Sequence, residues 1–487
     1  MWGIGIIGLG LALGSPAGAE PPPPLIRAEL PFTLPAQSVL RASPHKVFAH
    51  YFTPFPLSID NQESAQDYYA RHSLSAEGEN GKYLLAGGYL RDRPLPQPPR
   101  PESNWRALNL QEEIRRAIAI GLDGFSVDLL SDEGEHWDRT KMLLAAAQDV
   151  DPGFKILLMP DMEAGFKAHP EKLAAAMRQL AASPAAFRWP DGRLVVAPFN
   201  AQRQAAAWWK NWLAEMKGQG VAIAFVPLFQ DWRVYAKDFA PISVGFSDWG
   251  WRTPNAQAAW RAVPQQVHQF VPVWMAPVAP QDFRPYSFEY WEADNSENFR
   301  VMWENAIRGG ADWVQLITWN DYSEHTEIAP SASIQFAFYE LAAYYITQFK
   351  TGQLPAITHD ALYYFYRKHS TTAKPAKQSK LFTPVAGQFD PPQDAIELLA
   401  FLTVPGTLEI EINGHQVRRE AASGMTSFRV PLREGRPIFR LLRNGQPVIT
   451  LPGALQISNT IDYQDLLYHA GSSTQKNSTM ELTPVHQ

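Results

Sequence analysis

The feature that most constrains the fold is an alternation of short apolar runs with helical patterns between residues 47 and 348. The apolar runs have the length and β-branched content of buried strands, whereas the segments between them repeat apolar residues at helical spacing. Strands that alternate with helices form a parallel sheet, because each helix returns the chain to the same edge. The eight predicted strands are Val47–Phe52, Gly124–Leu130, Lys155–Asp161, Arg193–Phe199, Val221–Leu228, Ser243–Asp248, Val271–Ala276 and Val314–Asn320.

Helices are predicted between or after these strands. Their ranges are Leu110–Ile120, Thr140–Val150, Glu171–Leu180, Gln204–Lys217, Ala256–Val267, Glu297–Arg308 and Ile334–Gln348. The connection after the fifth strand is the weakest, with room only for a short helix at Trp232–Asp238. Eight parallel strands with intervening helices predict an α/β fold of the (β/α)8 TIM barrel type. An open doubly wound sheet is the alternative, but no glycine-rich phosphate-binding sequence follows the first strand.

The predicted barrel spans residues 47–350 and contains a long insertion, residues 53–109, after its first strand. The insertion carries Tyr68, Tyr69, Tyr83 and Tyr89 and a proline-dense stretch at 93–101. Long segments of this kind in a compact domain are functional or disordered, and the aromatic content favours a folded flap near the active face.

The pattern changes to period-two strands over residues 356–465, which predicts a C-terminal antiparallel β-sandwich domain. Asn413-Gly414 and Asn444-Gly445 are strong hairpin turns. The Ser, Thr and Asn content of residues 466–487 predicts a disordered tail.

Residues 1–19 are predicted to be a signal peptide, since an apolar run is followed by the small residues Ala17-Gly18-Ala19. A retained membrane anchor is the alternative, because no basic residue precedes the run, but the run is shorter than the roughly 20 residues that span a bilayer. Residues 20–46, with prolines at 21–24, are predicted to be a linker. The sequence therefore predicts a secreted or periplasmic protein without stable membrane insertion.

Composition narrows the function. The chain has no cysteine, which excludes disulfides, zinc–thiolate sites and cysteine nucleophiles. A formal charge of −6 argues against nucleic acid as a partner. The 16 Trp, 17 Tyr and 26 Phe suit a polysaccharide, whose sugar rings stack on aromatic faces, although core packing accounts for most of them.

Acidic side chains occur where the predicted strands end, which is where barrel enzymes build their active sites. Glycosidic hydrolysis needs one protonated carboxyl and one carboxylate, and a cluster of buried acids supplies both. A divalent metal site is the alternative, but the sequence has neither a His-x-x-x-His pair nor an Asp-x-Asp run, so no metal or cofactor is predicted. The strand-end residues are His50, Asp128, Asp161, Glu163, Asp248, Asp321 and Glu324.

The segment Trp319-Asn320-Asp321-Tyr322-Ser323-Glu324 resembles the Trp-Asn-Asp-Tyr-Gly-Glu motif of glycoside hydrolase family 71, the endo-α-1,3-glucanases or mutanases. Further segments that resemble the family, in the same order along the barrel, are 47–51, 119–125, 159–162, 247–250 and 275–278. The resemblance implies inverting cleavage of α-1,3-glucan, with Asp321 and Glu324 as the acid–base pair. Which of the two is the acid and which is the base stays open. Ser323 replaces glycine and His325-Thr326 replaces a Ser-His pair, so the preferred glycan stays open too.

The other candidates are predicted to bind substrate. His50, Asp128, Asp161 and Asp248 would hydrogen-bond to sugar hydroxyls, whereas the alternative for each aspartate is a helix or turn cap. Trp249, Trp274 and Trp319 would stack on sugars or pack in the core. Asn320 and Tyr322 are included because they adjoin the two acids. Another barrel glycosidase, such as an endo-α-mannosidase-like enzyme, and a catalytically silent glycan-binding barrel are the competing functions.

Overall fold

The computed structural model describes residues 30–387 and 390–474. The predicted signal peptide, the first ten residues of the predicted linker and the last part of the predicted tail lie outside these ranges. Within them, every helix falls short of the length and apolarity that a membrane-crossing helix needs.

A nine-stranded parallel sheet organises the chain up to residue 316, in the order β5-β4-β3-β2-β1-β11-β8-β7-β6. Each of the eight predicted strands overlaps one or two of its members, so the predicted α/β class with a parallel sheet is confirmed. Its strands are β1 Lys46–Tyr51, β2 Gly124–Leu129, β3 Lys155–Pro160, β4 Leu194–Val196, β5 Ile223–Phe225, β6 Leu228–Phe229, β7 Gly245–Asp248, β8 Val273–Val278 and β11 Trp313–Leu316. Two short strands outside this sheet, β9 Asp282–Arg284 and β10 Glu289–Trp291, pair with each other in antiparallel fashion. The strand β11 ends four residues before its predicted end, and from Thr318 the chain turns into a loop in which the Thr318 amide donates to the Thr326 carbonyl.

The two ends of this sheet lie on one short segment of chain. Only Val226 and Pro227 separate β5 from β6, although the two strands are at opposite edges of the sheet order. On one side, the Val226 amide donates to the Val196 carbonyl at 3.0 Å. On the other, the Ser247 amide donates to the Pro227 carbonyl at 3.0 Å. The sheet therefore curls until residues 223–229 bond to both of its edges.

Helices cover the outside of the sheet. They are α1 Gln37–Ala42, α2 Trp105–Ala119, α3 Gly134–Val150, α4 Gly165–Ala168, α5 Leu173–Ala181, α6 Ala206–Gly218, α7 Trp232–Phe239, α8 Val263–Val267, α9 Glu297–Gly309 and α10 Ala337–Thr351. Short 3-10 turns lie at Glu79–Gly81, Leu84–Ala86, Pro170–Lys172, Ala201–Arg203, Ala240–Ile242 and Asn255–Trp260, and a π turn lies at Tyr69–Ser73. The predicted helix 256–267 is divided into a 3-10 turn and α8, because Pro264 has no amide hydrogen with which to continue a helix.

Part of the predicted linker packs against the core around the parallel sheet and its helices. Leu40 of α1 is fully buried, and the Gln37 side-chain amide donates to the Ile118 carbonyl at 2.6 Å. Phe32 forms a β-bridge with Ile357. Residues 32–42 therefore belong to the packed structure, because apolar side chains among them reach the core.

Two antiparallel sheets, β17-β14-β12-β20 and β16-β15-β18-β19, form the C-terminal region. Their strands, with the short β13 that pairs with β10, are β12 Ala361–Tyr366, β13 Thr383–Pro384, β14 Ala395–Leu402, β15 Gly406–Ile412, β16 His415–Ala421, β17 Gly424–Pro431, β18 Ile438–Arg443, β19 Gln446–Pro452 and β20 His469–Ser472. Side chains from both sheets share one hydrophobic cluster. The strand β20 lies inside the predicted disordered tail, where pairing with β12 orders residues 469–472.

The sheet that contains β12 also packs on α10. The Phe401 ring lies 5.0 Å from that of Tyr344, and the Tyr363 hydroxyl donates to Glu340 at 2.6 Å. Both faces of β12 and β14 are thus buried, one against the second antiparallel sheet and one against the helices. This explains why their sequences are continuously apolar.

A buried ion pair connects the end of α10 to the sheet. Lys350 Nζ lies 2.6 Å from Asp123 Oδ2, and both side chains are less than a tenth exposed. Asp123 also accepts the Val47 amide at 2.7 Å, at the start of β1. The lysine therefore neutralises a carboxylate that fixes the first strand.

Replacing this lysine is expected to be costly. Lys350→Met leaves the buried Asp123 with Lys46, 3.8 Å away, as its remaining cationic neighbour, so the free energy of unfolding should fall by about 3 kcal/mol in urea denaturation. The control Arg308→Met removes an exposed pair with Glu304 and should change it by less than about 1 kcal/mol. Equal losses in the two variants would contradict the importance given to burial.

Candidate active site

The predicted acid pair lies on a closed loop that follows β11. The Thr318 amide donates to the Thr326 carbonyl at 2.6 Å, and the Ile328 amide donates to the Thr318 carbonyl at 3.0 Å. The Thr318 hydroxyl accepts the Asp321 amide at 2.7 Å. These bonds hold Asp321 and Glu324 in a narrow loop at the carboxyl end of the sheet.

Asp321 is buried, and three donors converge on its Oδ1 atom. They are the Ser323 amide at 2.9 Å, the Ser323 hydroxyl at 2.6 Å and the Glu324 amide at 3.3 Å. Burial raises the pKa of Asp321, and the hydrogen bonds oppose that rise because they favour the ionised form. None of these three bonds reaches Oδ2.

Glu324, unlike Asp321, lies in direct contact with a charged side chain. Burial raises its pKa to about 7, and Arg284, which lies 3.1 Å from Oε2, opposes the rise. The neighbouring carboxylates Asp282 and Asp321 raise it further. A carboxyl with a pKa near neutrality can carry a proton at mildly acidic pH and release it during a reaction.

Sequence reasoning did not include Arg252, Asp282 and Arg284 among the site residues. Asp282 and Arg284 lie on β9, in the long connection that follows β8, and Arg252 follows β7. The signal that could have found them is their position after predicted strands. However, the contact of Arg252 with Asp282 joins residues 30 positions apart and that of Arg284 with Glu324 joins residues 40 apart, which no local pattern reveals.

His50, Asp128 and Asp161 meet at the ends of β1, β2 and β3. His50 Nε2 lies 3.8 Å from Asp128 Oδ2, beyond hydrogen-bonding distance. Burial lowers the pKa of His50 to about 4, raises that of Asp161 to about 7, and raises that of Asp128 well above its usual range. His50 Nδ1 and Asp128 Oδ1 are buried without a hydrogen-bond partner. The cluster therefore holds neutral polar groups that a hydroxyl-bearing ligand could satisfy.

This cluster adjoins the acid pair, because the charge of Asp321 raises the pKa values of both His50 and Asp128. Trp249 also lies here: its ring is perpendicular to that of His50 at 5.2 Å. The structure thus brings four predicted site residues, His50, Asp128, Asp161 and Trp249, together with Asp321.

Asp248 lies at the same end of the sheet, but backbone groups occupy both of its oxygens. Oδ2 accepts the Trp232 amide at 2.9 Å and Oδ1 accepts the Gly250 amide at 2.9 Å. Burial raises its pKa to about 7. The contacts are those of a turn and helix cap, the alternative considered for strand-end aspartates.

Trp274 and Trp319 are placed away from the site, which corrects their prediction as sugar platforms. The Trp274 ring packs under helices, 6.2 Å from Trp232 and 6.4 Å from Trp260. Trp319 is fully buried, and its indole nitrogen donates to Glu113 at 3.2 Å. Trp274 belongs to the face of β8 that packs on helices, whereas Trp319 lies beyond the end of β11 and its ring packs beside Phe125 and Tyr339.

Asn320 and Tyr322 are also used by the fold rather than presented to a ligand. The Asn320 amide accepts from the Phe52 nitrogen at 2.8 Å and donates to the Phe55 carbonyl at 2.8 Å. Tyr322 is buried in a cluster with Phe55, Tyr69 and Leu90 of the insertion. Both residues therefore attach the insertion 53–109 to the acid-bearing loop.

His325 adds a second attachment. Its Nδ1 donates to the Phe283 carbonyl at 2.6 Å, and its Nε2 accepts the Arg91 amide at 2.8 Å. Burial lowers its pKa to about 4, so the ring is neutral, as this donor–acceptor pattern requires. The acid-bearing loop is thereby tied to β9 and to the insertion.

Tyrosines of the insertion and of the β9 connection surround the acids. Ser323 adjoins Tyr89, which stacks on Tyr83 at 4.5 Å and lies 6.4 Å from the ring of Tyr286. Tyr286 is 41% exposed, and the charges of Glu324 and Asp321 raise its pKa beyond the effect of burial. Across residues 30–387 and 390–474, no group of three His, Asp or Glu side chains is arranged to hold a metal ion.

Paired carboxyls at the carboxyl end of a parallel sheet are the groups that glycoside hydrolysis requires. The chain belongs to glycosyl hydrolase family 71, whose sequence model matches residues 101–481. The resemblance seen in the sequence is therefore confirmed.

Similar proteins include a mutanase of Penicillium rubens, which is 25% identical over 82% of this chain and 90% of its own length. A glucan endo-1,3-alpha-glucosidase of Schizosaccharomyces pombe is 25% identical over 75% of this chain and 91% of its own length. Among solved structures, the GH99 endo-alpha-mannosidase from Bacteroides thetaiotaomicron covers 64% of this chain and 98% of its own chain at 16% identity. The TM-score of this structural match is 0.48.

The buried carboxyls predict a pH dependence of stability. Glu113, Asp161, Asp248 and Glu324 have pKa values of about 7 in the folded state, so between about pH 4 and 7 the native protein binds more protons than the unfolded chain. Their contribution is present below their unfolded pKa values and is lost as the pH rises. His50 and His325 act in the opposite sense, but only below about pH 6.5. Four carboxyls outweigh two histidines, so the free energy of unfolding should fall as the pH rises from about 4.5 to 7, most steeply above about pH 6.5.

The variant Glu113→Gln isolates one group, since glutamine mimics the protonated acid beside Tyr51 and Trp319. Urea denaturation should show a pH slope reduced by about 1.4 kcal/mol per pH unit between about pH 5 and 7. Glu133→Gln, at an exposed carboxyl, is the matched control and should leave the slope unchanged. A wild-type slope in Glu113→Gln would contradict a raised pKa for this residue.

Proposed function

We propose that this chain is an exported glycoside hydrolase that cleaves α-1,3-glucan with inversion at the anomeric carbon. The observation that carries the proposal is the buried pair Asp321 and Glu324, in which two carboxyls three residues apart have different environments. Membership of family 71 and the printed activities of the relatives support α-1,3-glucan as the substrate.

The environments assign the roles. Glu324 has a pKa of about 7 and carries the proton, so it acts as the general acid toward the glycosidic oxygen. Asp321 receives three hydrogen bonds on Oδ1, which favour its carboxylate, so it acts as the general base toward water. Inversion places the carboxyl groups about 6.5–9.5 Å apart, with a water molecule between one of them and the sugar.

The reaction balances with these two groups alone. Asp321 removes a proton from water while the water oxygen bonds to the anomeric carbon from the face opposite the leaving group. The bond to the glycosidic oxygen breaks with its electron pair, and Glu324 gives its proton to that oxygen. Afterwards Asp321 is protonated and Glu324 is ionised, and exchange with solvent restores both.

Sugar recognition is assigned to the cluster at the ends of β1 to β3. Asp128 and Asp161 offer carboxyl groups to the hydroxyls of the sugar, and His50 offers Nδ1. Trp249 supplies an apolar ring beside them. Because the groups are neutral, they match an uncharged sugar without leaving a buried charge unpaired.

The supporting architecture is a closed (β/α)8 barrel with a C-terminal β-sandwich. Closure is supported by residues 223–229, which bond to both edges of the parallel sheet so that β5 and β6 count as one strand. The sandwich is supported by the shared core of the two antiparallel sheets. The barrel spans residues 47–350 and the sandwich spans 356–474. Export through a signal peptide at residues 1–19 completes the proposal.

The stereochemistry can be measured directly. Purified protein is incubated with insoluble α-1,3-glucan, and the anomer of new reducing ends is followed by NMR before mutarotation. Inversion predicts that the β anomer forms first. Early α anomer would show retention, and no release from this glucan or from a panel that includes α-mannans would reject an enzyme in favour of a glycan-binding barrel.

Variants of the pair test the two roles. Asp321→Asn and Glu324→Gln should each lower kcat on glucan by about a hundredfold or more, with unchanged circular dichroism. On α-glucosyl fluoride, whose leaving group needs little protonation, Glu324→Gln should recover most of its activity and Asp321→Asn should not. Asp360→Asn, in the C-terminal region, is the control expected to keep wild-type rates. Recovery by Asp321→Asn alone would reverse the assignment.

A further inference from the structure

Glu324 and three other charged side chains, Arg284, Asp282 and Arg252, form a continuous series of contacts. Arg284 donates to Asp282 through two nitrogens, Nε to Oδ1 at 2.7 Å and Nη2 to Oδ2 at 2.7 Å. Arg252 Nε lies 3.2 Å from Asp282 Oδ2. The Nη2 atom of Arg284 also lies 3.1 Å from Glu324 Oε2. Asp282 is fully buried and Arg252 nearly so, which leaves their charges little screened by water.

The strand β9 places these groups. Asp282 and Arg284 are two positions apart in an extended strand, so their side chains leave the same face. Phe283, between them, points to the opposite face and packs with Tyr290 and Phe382. The Phe283 amide donates to the Glu324 carbonyl at 2.8 Å, which fixes β9 against the acid-bearing loop.

The charges around Glu324 determine whether its carboxyl group can hold a proton. Two guanidinium groups face one carboxylate, so with Asp282 ionised the surroundings of Glu324 carry one net positive charge from these residues. Without Asp282 they would carry two, and a carboxyl beside two buried cations is held in its ionised form. A general acid that cannot hold a proton cannot assist the leaving group.

The hydrogen-bond geometry leads to the same conclusion. Asp282 occupies Nε and Nη2 of Arg284, the same edge that faces Glu324. Glu324 Oε2 consequently has no hydrogen bond of its own, although the ion pair is close. Arg284 is thus bound to Asp282 and is only a charge neighbour to Glu324.

We propose that Asp282 is a positioning residue that keeps Glu324 able to hold its proton by neutralising Arg284 and Arg252, and so sets the upper pH limit of turnover. The inference rests on the proposed role of Glu324 as general acid. The charged and titratable groups that face Glu324 are Arg252, Asp282, Arg284, Tyr286 and Asp321. Of these, Asp282 is the one that accepts two hydrogen bonds from Arg284.

The test is the pH profile of kcat/KM for Asp282→Asn in the full chain. Loss of the carboxylate should move the basic limb to lower pH by about one unit, with the acidic limb in place. With α-glucosyl fluoride, which needs little acid assistance, the shift of the basic limb should disappear. The matched control is Asp360→Asn, which removes the carboxylate from another two-bond pair, with Arg443, remote from the site. It should leave both limbs unchanged.

A compensating variant separates charge from packing. Arg252→Gln should move the basic limb to higher pH, and the double variant Asp282→Asn/Arg252→Gln should return it close to the wild-type position. If Asp282→Asn does not fold, the shift in Arg252→Gln alone decides the matter. A folded Asp282→Asn enzyme with the wild-type basic limb, or an unmoved limb in Arg252→Gln, would overturn the inference.

This failure is distinct from failure of the proposed function. If the wild-type chain hydrolyses glucan and Glu324→Gln is impaired, an unmoved limb rejects only the role of Asp282. If Glu324→Gln keeps its rate, the general acid lies elsewhere and the inference is rejected together with the assignment on which it rests.

Discussion

Removing a carboxyl group from water costs several kcal/mol unless the group is neutral or paired, and this cost governs the carboxyl end of the parallel sheet. Asp128 and Asp161 lie there with raised pKa values, because burial is the largest influence on each. Asp321 receives backbone and hydroxyl donors, and Glu324 has an arginine. The cost of burial is therefore offset differently for each acid, and the proposed roles of Asp321 and Glu324 rest on these differences.

These solutions depend on contacts from distant parts of the chain. Asn320 bonds to the start of the insertion, and His325 bonds to both the insertion and β9. Asp92 of the insertion accepts the Ser333 amide at 2.9 Å, just beyond the acid-bearing loop. The loop that carries Asp321 and Glu324 is thus held from both sides. The long segment 53–109 is part of the site's framework, which accounts for its ordered aromatic residues.

Much of this arrangement follows from the sequence. Apolar runs of strand length predict every member of the parallel sheet, because burial on both faces leaves a clear signal. Acids at strand ends predict Asp128, Asp161, Asp321 and Glu324 at one edge, since parallel strands bring their carboxyl ends together. The same reasoning includes Asp248 correctly by position, yet it does not foresee that two backbone amides occupy its oxygens.

The directions of side chains are harder to predict. Trp319 and Asn320 follow residue 316, where β11 ends, so the strict alternation of a strand no longer tells which way they point. Trp274 lies within β8, but a strand buried on both faces has apolar residues on each side, and the sequence does not distinguish them. No sequence motif identifies Asp282 and Arg284 as site residues, because their importance depends on contacts with Arg252 and Glu324, which lie on other elements.

Ser323 shows how a departure from the family motif can have a chemical consequence. Where the motif has glycine, this chain has a hydroxyl that donates to Asp321 Oδ1 at 2.6 Å and adjoins Tyr89 of the insertion. Glycine would leave Asp321 with the two amide donors only. The additional donor favours the ionised form of Asp321, which a general base needs, while Glu324 gains nothing from it. The substitution thus increases the difference between the two carboxyls, and it does so through a residue that also connects the acid-bearing loop to the insertion.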